Sequence, residues 1–187
     1  MRKNIRSREP PEGFRYEAEI VPRQEELELV ARIQELPLKE FEFHGYIGKR
    51  RTLSYGWHYD FSEEKLRPTD EIPEFLHQLR QRAAAFADLR AEDLPHALVT
   101  EYSPSTTIGW HRDKGVFSDV VGISLHSPCI FRLRRKTGSG WERYSRTVEP
   151  RSAYLLRGAV RTEWEHSIPA VEALRYSITF RSLRGKS

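Results

Sequence analysis

From Ala97 onward the chain breaks into short β-like segments separated by Pro, Gly, Ser and charged turns, and this spacing constrains the fold more than any other feature. The segments are 97–102, 119–126, 129–135, 141–148, 152–157, 163–168 and 174–182. Many short strands at such intervals close into an antiparallel sandwich or barrel, and a double-stranded β-helix, or jelly roll, is one such solution. That core is expected over 97–182. Ahead of it, 22–36 carries Leu27, Leu29, Val30 and Ile33 at helical spacing behind a glutamate-rich first turn, and 72–89 reads as a second helix. The expected class is mostly β with N-terminal helices: a jelly-roll, cupin-like core buttressed on one sheet by two helices. Between the helices, 41–61 is rich in aromatic and basic residues, with turn signals at Gly45, Gly48 and Gly56, and reads as a strand and hairpin region.

A length of 187 residues suits a single catalytic domain with a real core. Residues 1–15 are expected to be a flexible tail, and the charged first residues, with no apolar stretch behind them, do not read as a secretory signal. No apolar run approaches the roughly 18 residues that span a bilayer, so a soluble protein without a membrane partner is expected, as a monomer. The lone cysteine, Cys129, rules out an intramolecular disulfide and a cysteine-based zinc site. Its neighbours Pro128, Ile130 and Phe131 make it a buried small residue, and a reducing cytoplasm fits. The net charge of +4 and pI near 9.3 suit a polyanionic partner.

Chemistry enters with His111 and Asp113, two apart in the segment 108–113. At a strand end that spacing sends both side chains to one face, where a single ion can take both. His166, in the later segment 163–168, supplies a third ligand if the strands lie side by side. Two histidines and a carboxylate form the facial triad of non-haem Fe(II) oxygenases, which leaves positions open for a bidentate oxo-acid and for oxygen. An H-x-D pair alone is more often a solvated loop pair. His44, His58, His77, His96 and His126 have no comparable partner at strand spacing.

The last segment alternates strictly. Arg175, Ser177, Thr179 and Arg181 share one side, and Tyr176, Ile178 and Phe180 the other. Two readings stay open: a surface strand with its arginines in water, or a guanidinium fork aimed into the mouth that holds the metal. A dicarboxylic co-substrate needs such a fork, because its oxo-acid end chelates iron while its far carboxylate requires a bidentate cation with a hydroxyl nearby.

Taken in order, H-x-D, a distant histidine and a terminal R-x-S-x-x-x-R strand, preceded by Thr100, Glu101, Tyr102 and Pro104, resemble the AlkB family of Fe(II)/2-oxoglutarate-dependent dioxygenases. The resemblance covers residues 97–181. It implies a double-stranded β-helix in which His111, Asp113 and His166 bind iron. It places Arg175 and Ser177 on the distal carboxylate of 2-oxoglutarate, and Arg181 and Tyr102 near its metal-binding end. The implied reaction is oxidative dealkylation of N-alkylated bases in DNA or RNA, as in alkylation repair or RNA demethylation, releasing an aldehyde, succinate and CO2. Two positions depart from the family pattern. Thr100 stands where an asparagine is frequent, and Gly115 stands where some base-repair members carry an acidic residue.

On the substrate side, Arg50, Arg51, Tyr55, Trp57 and Tyr59 lie where AlkB-like proteins have a substrate lid, within 41–61. Cations would hold phosphates there and aromatics an extruded base; the alternative is a hairpin that covers the core. Arg134 and Arg135, with Arg132, would add a basic rim at the barrel mouth, or belong to a solvated strand face. Two rival functions remain. The same metal chemistry would serve a protein or small-molecule substrate, and a barrel that only binds nucleic acid would not need His111, Asp113, His166 and Arg175 intact.

Overall fold

The computed structural model describes residues 4–6, 9–43, 46–138 and 140–185, with the backbone alone for 4–6, 42–43 and 46–48. Parts of the expected tail (1–3 and 7–8) and of the expected lid (44–45, including Gly45) lie outside the described residues. The first strands are β1 (Asn4–Arg6) and β2 (Phe14–Glu17), followed by helix α1 (Arg23–Gln34). Then come β3 (Lys39–Phe43), β4 (Tyr46–Tyr55), β5 (Trp57–Asp60), β6 (Lys65–Pro68) and helix α2 (His77–Phe86). The remaining strands are β7 (His96–Tyr102), β8 (Ile108–His111), β9 (Phe117–Leu125), β10 (Cys129–Thr137), β11 (Gly140–Val148), β12 (Ser152–Leu156), β13 (Glu165–Ile168) and β14 (Arg175–Leu183), with a short helix α3 (Ala159–Thr162) before β13.

These strands build two principal sheets. The larger runs β2-β12-β9-β14-β7-β4-β3 and the smaller β1-β11-β10-β13-β8, with β5 and β6 forming a separate hairpin. Apart from the parallel β1–β11 pair, neighbours in the two sheets are antiparallel. Mostly β with few helices, this is the double-stranded β-helix expected from the strand spacing. The leading residues differ from the expected tail, since Asn4–Arg6 pairs with β11 and Phe14–Glu17 with β12.

Burial separates two apolar clusters, one on each side of the larger sheet. Outside it, Leu29 and Ile33 of α1 and Leu79 and Ala83 of α2 pack against Val99, Ile123, Tyr176, Ile178 and Phe180. Pro22 before α1, Glu25 and Glu26 in its first turn and Arg32 in its last agree with the helix dipole. Leu27 falls off the buried stripe and is 58% exposed. Between the sheets, Phe131 and Leu133 of β10 meet Tyr102, Tyr154 and Leu156 of the larger sheet. The polar side of β14 faces this interior: Arg175 is 1% exposed and Ser177 2%. The strand therefore does not present its first arginine to water. Gly56, at φ +74°, makes the turn between β4 and β5, where a Cβ would lie 2.0 Å from the Pro95 carbonyl oxygen.

Candidate active site

Strands β8 and β13 pair so that His111 and His166 are direct partners, which brings both rings to the inner face, 4.2 Å apart between centroids. The Nδ1 of His111 lies 2.9 Å from the Gly109 carbonyl oxygen, and an N–H donated there leaves Nε2 free as a ligand. From Asp113 Oδ1, Nε2 of His111 is 3.6 Å away and Nε2 of His166 3.7 Å. The three ligand atoms all lie within 4.8 Å of one another. Two imidazole nitrogens and one carboxylate oxygen on one side of an open space are the donor set that suits Fe(II).

Electrostatics keep these groups in their ligating forms. Burial opposes charge on Asp113, yet the Arg181 guanidinium and the neighbouring His111 and His166 imidazoles hold its carboxyl well below the usual carboxylate range. Arg181 Nε donates to Asp113 Oδ2 at 3.1 Å. Burial, reinforced by His111, lowers His166 to about 3, so its ring is neutral at physiological pH.

A second polar group lies deeper. Strands β4, β7 and β14 align Arg50, Tyr102 and Arg175 in one row, and Thr52, Thr100 and Ser177 in the next on the same face. Arg175 donates from Nε and Nη2 to Ser124 Oγ at 3.2 and 3.1 Å and lies 4.7 Å over the Tyr102 ring. Its Nη1, buried, has no acceptor among the described residues. A buried guanidinium left with an unused donor suits an anionic partner. The Tyr102 hydroxyl meets Ser177 Oγ at 3.2 Å. Thr100, Thr179 and Arg181 line the same pocket as the triad.

Three residues that sequence reasoning did not single out belong to this constellation. Ser124 anchors Arg175 from β9. Tyr154 lies across Gly122, its register partner, where a Cβ would come within 2.2 Å of the ring; burial raises its hydroxyl pKa strongly. His96 lies 3.5 Å from Arg181 Nη1, and burial holds its imidazole well below the ordinary value. No local pattern marks these positions. They follow only from which strands become neighbours.

The expected substrate residues separate. Arg50 lines the metal pocket and stacks on Phe41 at 3.8 Å, and burial lowers its pKa. Arg51, one residue on, faces the other side of the sheet and forms a bidentate pair with Glu101 at 2.8 and 2.9 Å. Tyr55 is 8% exposed and packs into the outer apolar cluster. Trp57 borders a cleft of about 400 Å³ with Leu66, Gly115, Val116, Leu183 and Arg184. Tyr59 meets Phe61 edge-on, with Lys114 Nζ 5.2 Å over its ring. Arg134 points away from the metal face, between Trp110 and Trp141. Arg135 is ion-paired with Glu142 and Glu163. A Cβ on Gly115 would meet nothing within 4 Å, so a side chain at this position would enter open space.

Fold and triad together define a metal-dependent oxygenase of the jelly-roll kind. The chain belongs to the 2OG-Fe(II) oxygenase superfamily, whose family model matches residues 19–181. Fe(II) and 2-oxoglutarate are its cofactor and co-substrate. An Arabidopsis thaliana protein named as an alkylated DNA repair protein, ALKBH8 homolog, is 27% identical over 164 residues, covering 74% of this chain and 47% of the relative. The chain thus spans about half the length of that relative. The structure of OsALKBH1 superposes with a TM-score of 0.70 at 16% identity, covering 91% of this chain and 96% of the other. A Pseudomonas putida prolyl-4-hydroxylase superposes with a TM-score of 0.63 at 15% identity, covering 92% and 94%. At these identities the structural likenesses speak for the fold. No helix among the described residues is long and apolar enough to cross a membrane.

Proposed function

We propose that the protein removes N-linked alkyl groups from nucleobases of DNA or RNA, in alkylation repair or RNA demethylation, using Fe(II) and 2-oxoglutarate. The observation that carries this reading is Arg50, a cation inside the metal pocket that stacks on Phe41 and has no hydrogen-bond acceptor among the described residues. Neither the triad nor a dicarboxylate held by Arg175 needs it, whereas a nucleotide brings a phosphate with its base. The cleft beside Trp57 and Gly115 supports the same reading, because about 400 Å³ falls within the roughly 300–1,000 Å³ of small-molecule sites. So does the Arabidopsis relative named as an alkylated DNA repair protein.

In this reading Arg175 and Ser177 hold the distal carboxylate of 2-oxoglutarate, Arg175 through its unused Nη1. Tyr102, Thr100 and Arg181 orient the metal-binding end, and Arg181 also keeps Asp113 ionised. Iron, 2-oxoglutarate and O2, when bound, would supply the oxidation: O2 is the oxidant, one of its atoms passing to the succinate formed with CO2 from the co-substrate and the other to the alkyl carbon, which then leaves as an aldehyde. The apolar lining from Val120, Phe131, Leu156 and Ile168 excludes water from the reacting side. Trp57 and Tyr59 stack on the extruded base. The test is mass spectrometry of alkylated DNA and RNA oligonucleotides incubated with protein, iron and 2-oxoglutarate. Loss of the alkyl mass from at least one base is expected. Unchanged oligonucleotides beside a hydroxylated peptide or small molecule would move the activity to the same chemistry on another substrate.

A further inference from the structure

The smaller sheet has two faces, and the site uses only the inner one. Because Cys129, Phe131 and Leu133 point into the core, strand alternation sends Ile130, Arg132, Arg134 and Lys136 of β10 outward. On β11, the register partners of Arg132, Arg134 and Lys136 are Ser145, Arg143 and Trp141, which share this outer face. Glu165 of β13 and Trp110 of β8 lie on the same face. Among the described side chains four cations, Arg132, Arg134, Lys136 and Arg143, therefore meet one carboxylate, Glu165, which Arg134 already holds at 2.6 Å. Among the described residues Lys136 and Arg143 have no acidic partner.

Two features distinguish this face from an ordinary solvated one. Arg143 stands directly opposite Arg134, a like-charge pair for which Glu165, already bound to Arg134, supplies one negative charge against two positive ones. Arg134 is also clamped between two rings, its guanidinium carbon 4.3 Å from both Trp110 and Trp141, while Arg132 lies 5.1 Å from Trp110. These guanidinium groups lie against the rings. Their edges are oriented by Glu165 and, for Arg132 Nε, by Ser167 Oγ at 3.0 Å. In-plane donors fixed in this way lose little freedom on meeting a phosphate. A sheet face that combines aromatic rings with ordered cations suits single-stranded nucleic acid.

We propose that this outer face is a second nucleic-acid contact, binding the backbone of single-stranded DNA or RNA away from the reacting base. Strand β8 is the edge of its sheet and carries Trp110 outward and His111 inward, so a strand rounding that edge touches both faces. The proposal rests on the nucleic-acid reading above only for its choice of polyanion.

The test is fluorescence anisotropy with an unmodified single-stranded oligonucleotide across a salt series, comparing the full chain with Arg132→Gln, Lys136→Gln and Arg143→Gln combined. These residues are outside the metal pocket, so 2-oxoglutarate turnover is expected to stay unchanged. Affinity at low salt should fall about tenfold or more, and the slope of log affinity against log salt should become shallower by about 2, from three lost phosphates at roughly 0.7 each. Unchanged affinity and slope, or lost binding to polyglutamate with oligonucleotide binding intact, overturns the proposal. Photo-crosslinking of a thiothymidine oligonucleotide to the unaltered protein tests it without any variant. Crosslinks on peptides holding Trp110 or Trp141 support it, and crosslinks confined to residues 50–59 overturn it. The two readings fail separately. Binding through this face with no base dealkylated removes the reaction and keeps the surface, whereas dealkylation with full binding by the triple variant removes the surface alone.

Discussion

At the scale of single residues, the site depends on a few charges placed where water is scarce. Asp113→Ala removes one of three ligands from a side chain only 10% exposed that faces the pocket and not the apolar core. It should abolish iron-dependent decarboxylation of 2-oxoglutarate and iron retention while leaving the melting temperature within a few degrees; activity near that of the unaltered protein would remove the triad. On the proposed co-substrate reading, Arg175→Ala strips the distal carboxylate of a charge-assisted hydrogen bond of about 1.5–3 kcal/mol, which raises the 2-oxoglutarate requirement by roughly tenfold or more. An unchanged requirement would make Arg175 a purely structural cation. His166 carries a pH consequence. Its folded pKa, lowered by burial to about 3, lies below the ordinary 6.5, so the unfolded chain binds more protons between these values. Stability from this group is fully present above pH 6.5 and is lost as pH falls toward 3. Metal-free protein should show a lower urea midpoint at pH 5 than at pH 7, a difference that His166→Gln reduces.

At the scale of elements, strand β4 shows how alternation assigns roles that composition cannot. Arg50 and Arg51 read alike as lid cations, yet consecutive residues face opposite sides of a strand. Arg50→Ala should weaken oligonucleotide binding and leave stability almost unchanged. Arg51→Ala should do the reverse, since it leaves Glu101, 8% exposed, without its partner. Because Arg51 is half exposed, the loss should be about 1 kcal/mol, seen as a shift in the denaturation midpoint. Matching effects of both variants on binding would contradict this division. The same period explains what was legible in β14. The sequence separates Arg175, Ser177, Thr179 and Arg181 from Tyr176, Ile178 and Phe180, but a period of two does not say which side meets water. Packing of α1 and α2 on the apolar side decides it, and turns the polar side inward.

At the scale of the whole molecule, the jelly roll was readable from strand spacing, and the triad from H-x-D and a later histidine, because both rest on local patterns. Partnerships across long stretches of chain were not. Ser124 sits in the apolar run of β9 with nothing nearby to mark it, and reaches Arg175 only because β9 and β14 are neighbours. Asn4–Arg6 and Phe14–Glu17 similarly take their structure from β11 and β12, over a hundred residues away. What the assembled fold achieves is an interior that gathers the triad from the smaller sheet and a buried guanidinium and a further cation from the larger one. The coupling of the two half-reactions tests that account most directly. Succinate and aldehyde should be measured together, with iron, 2-oxoglutarate and an N-methylated oligonucleotide present, in the unaltered protein. Equal amounts of the two products, both lost in Asp113→Ala, are predicted; succinate formed without any aldehyde, whatever the oligonucleotide, would contradict the account.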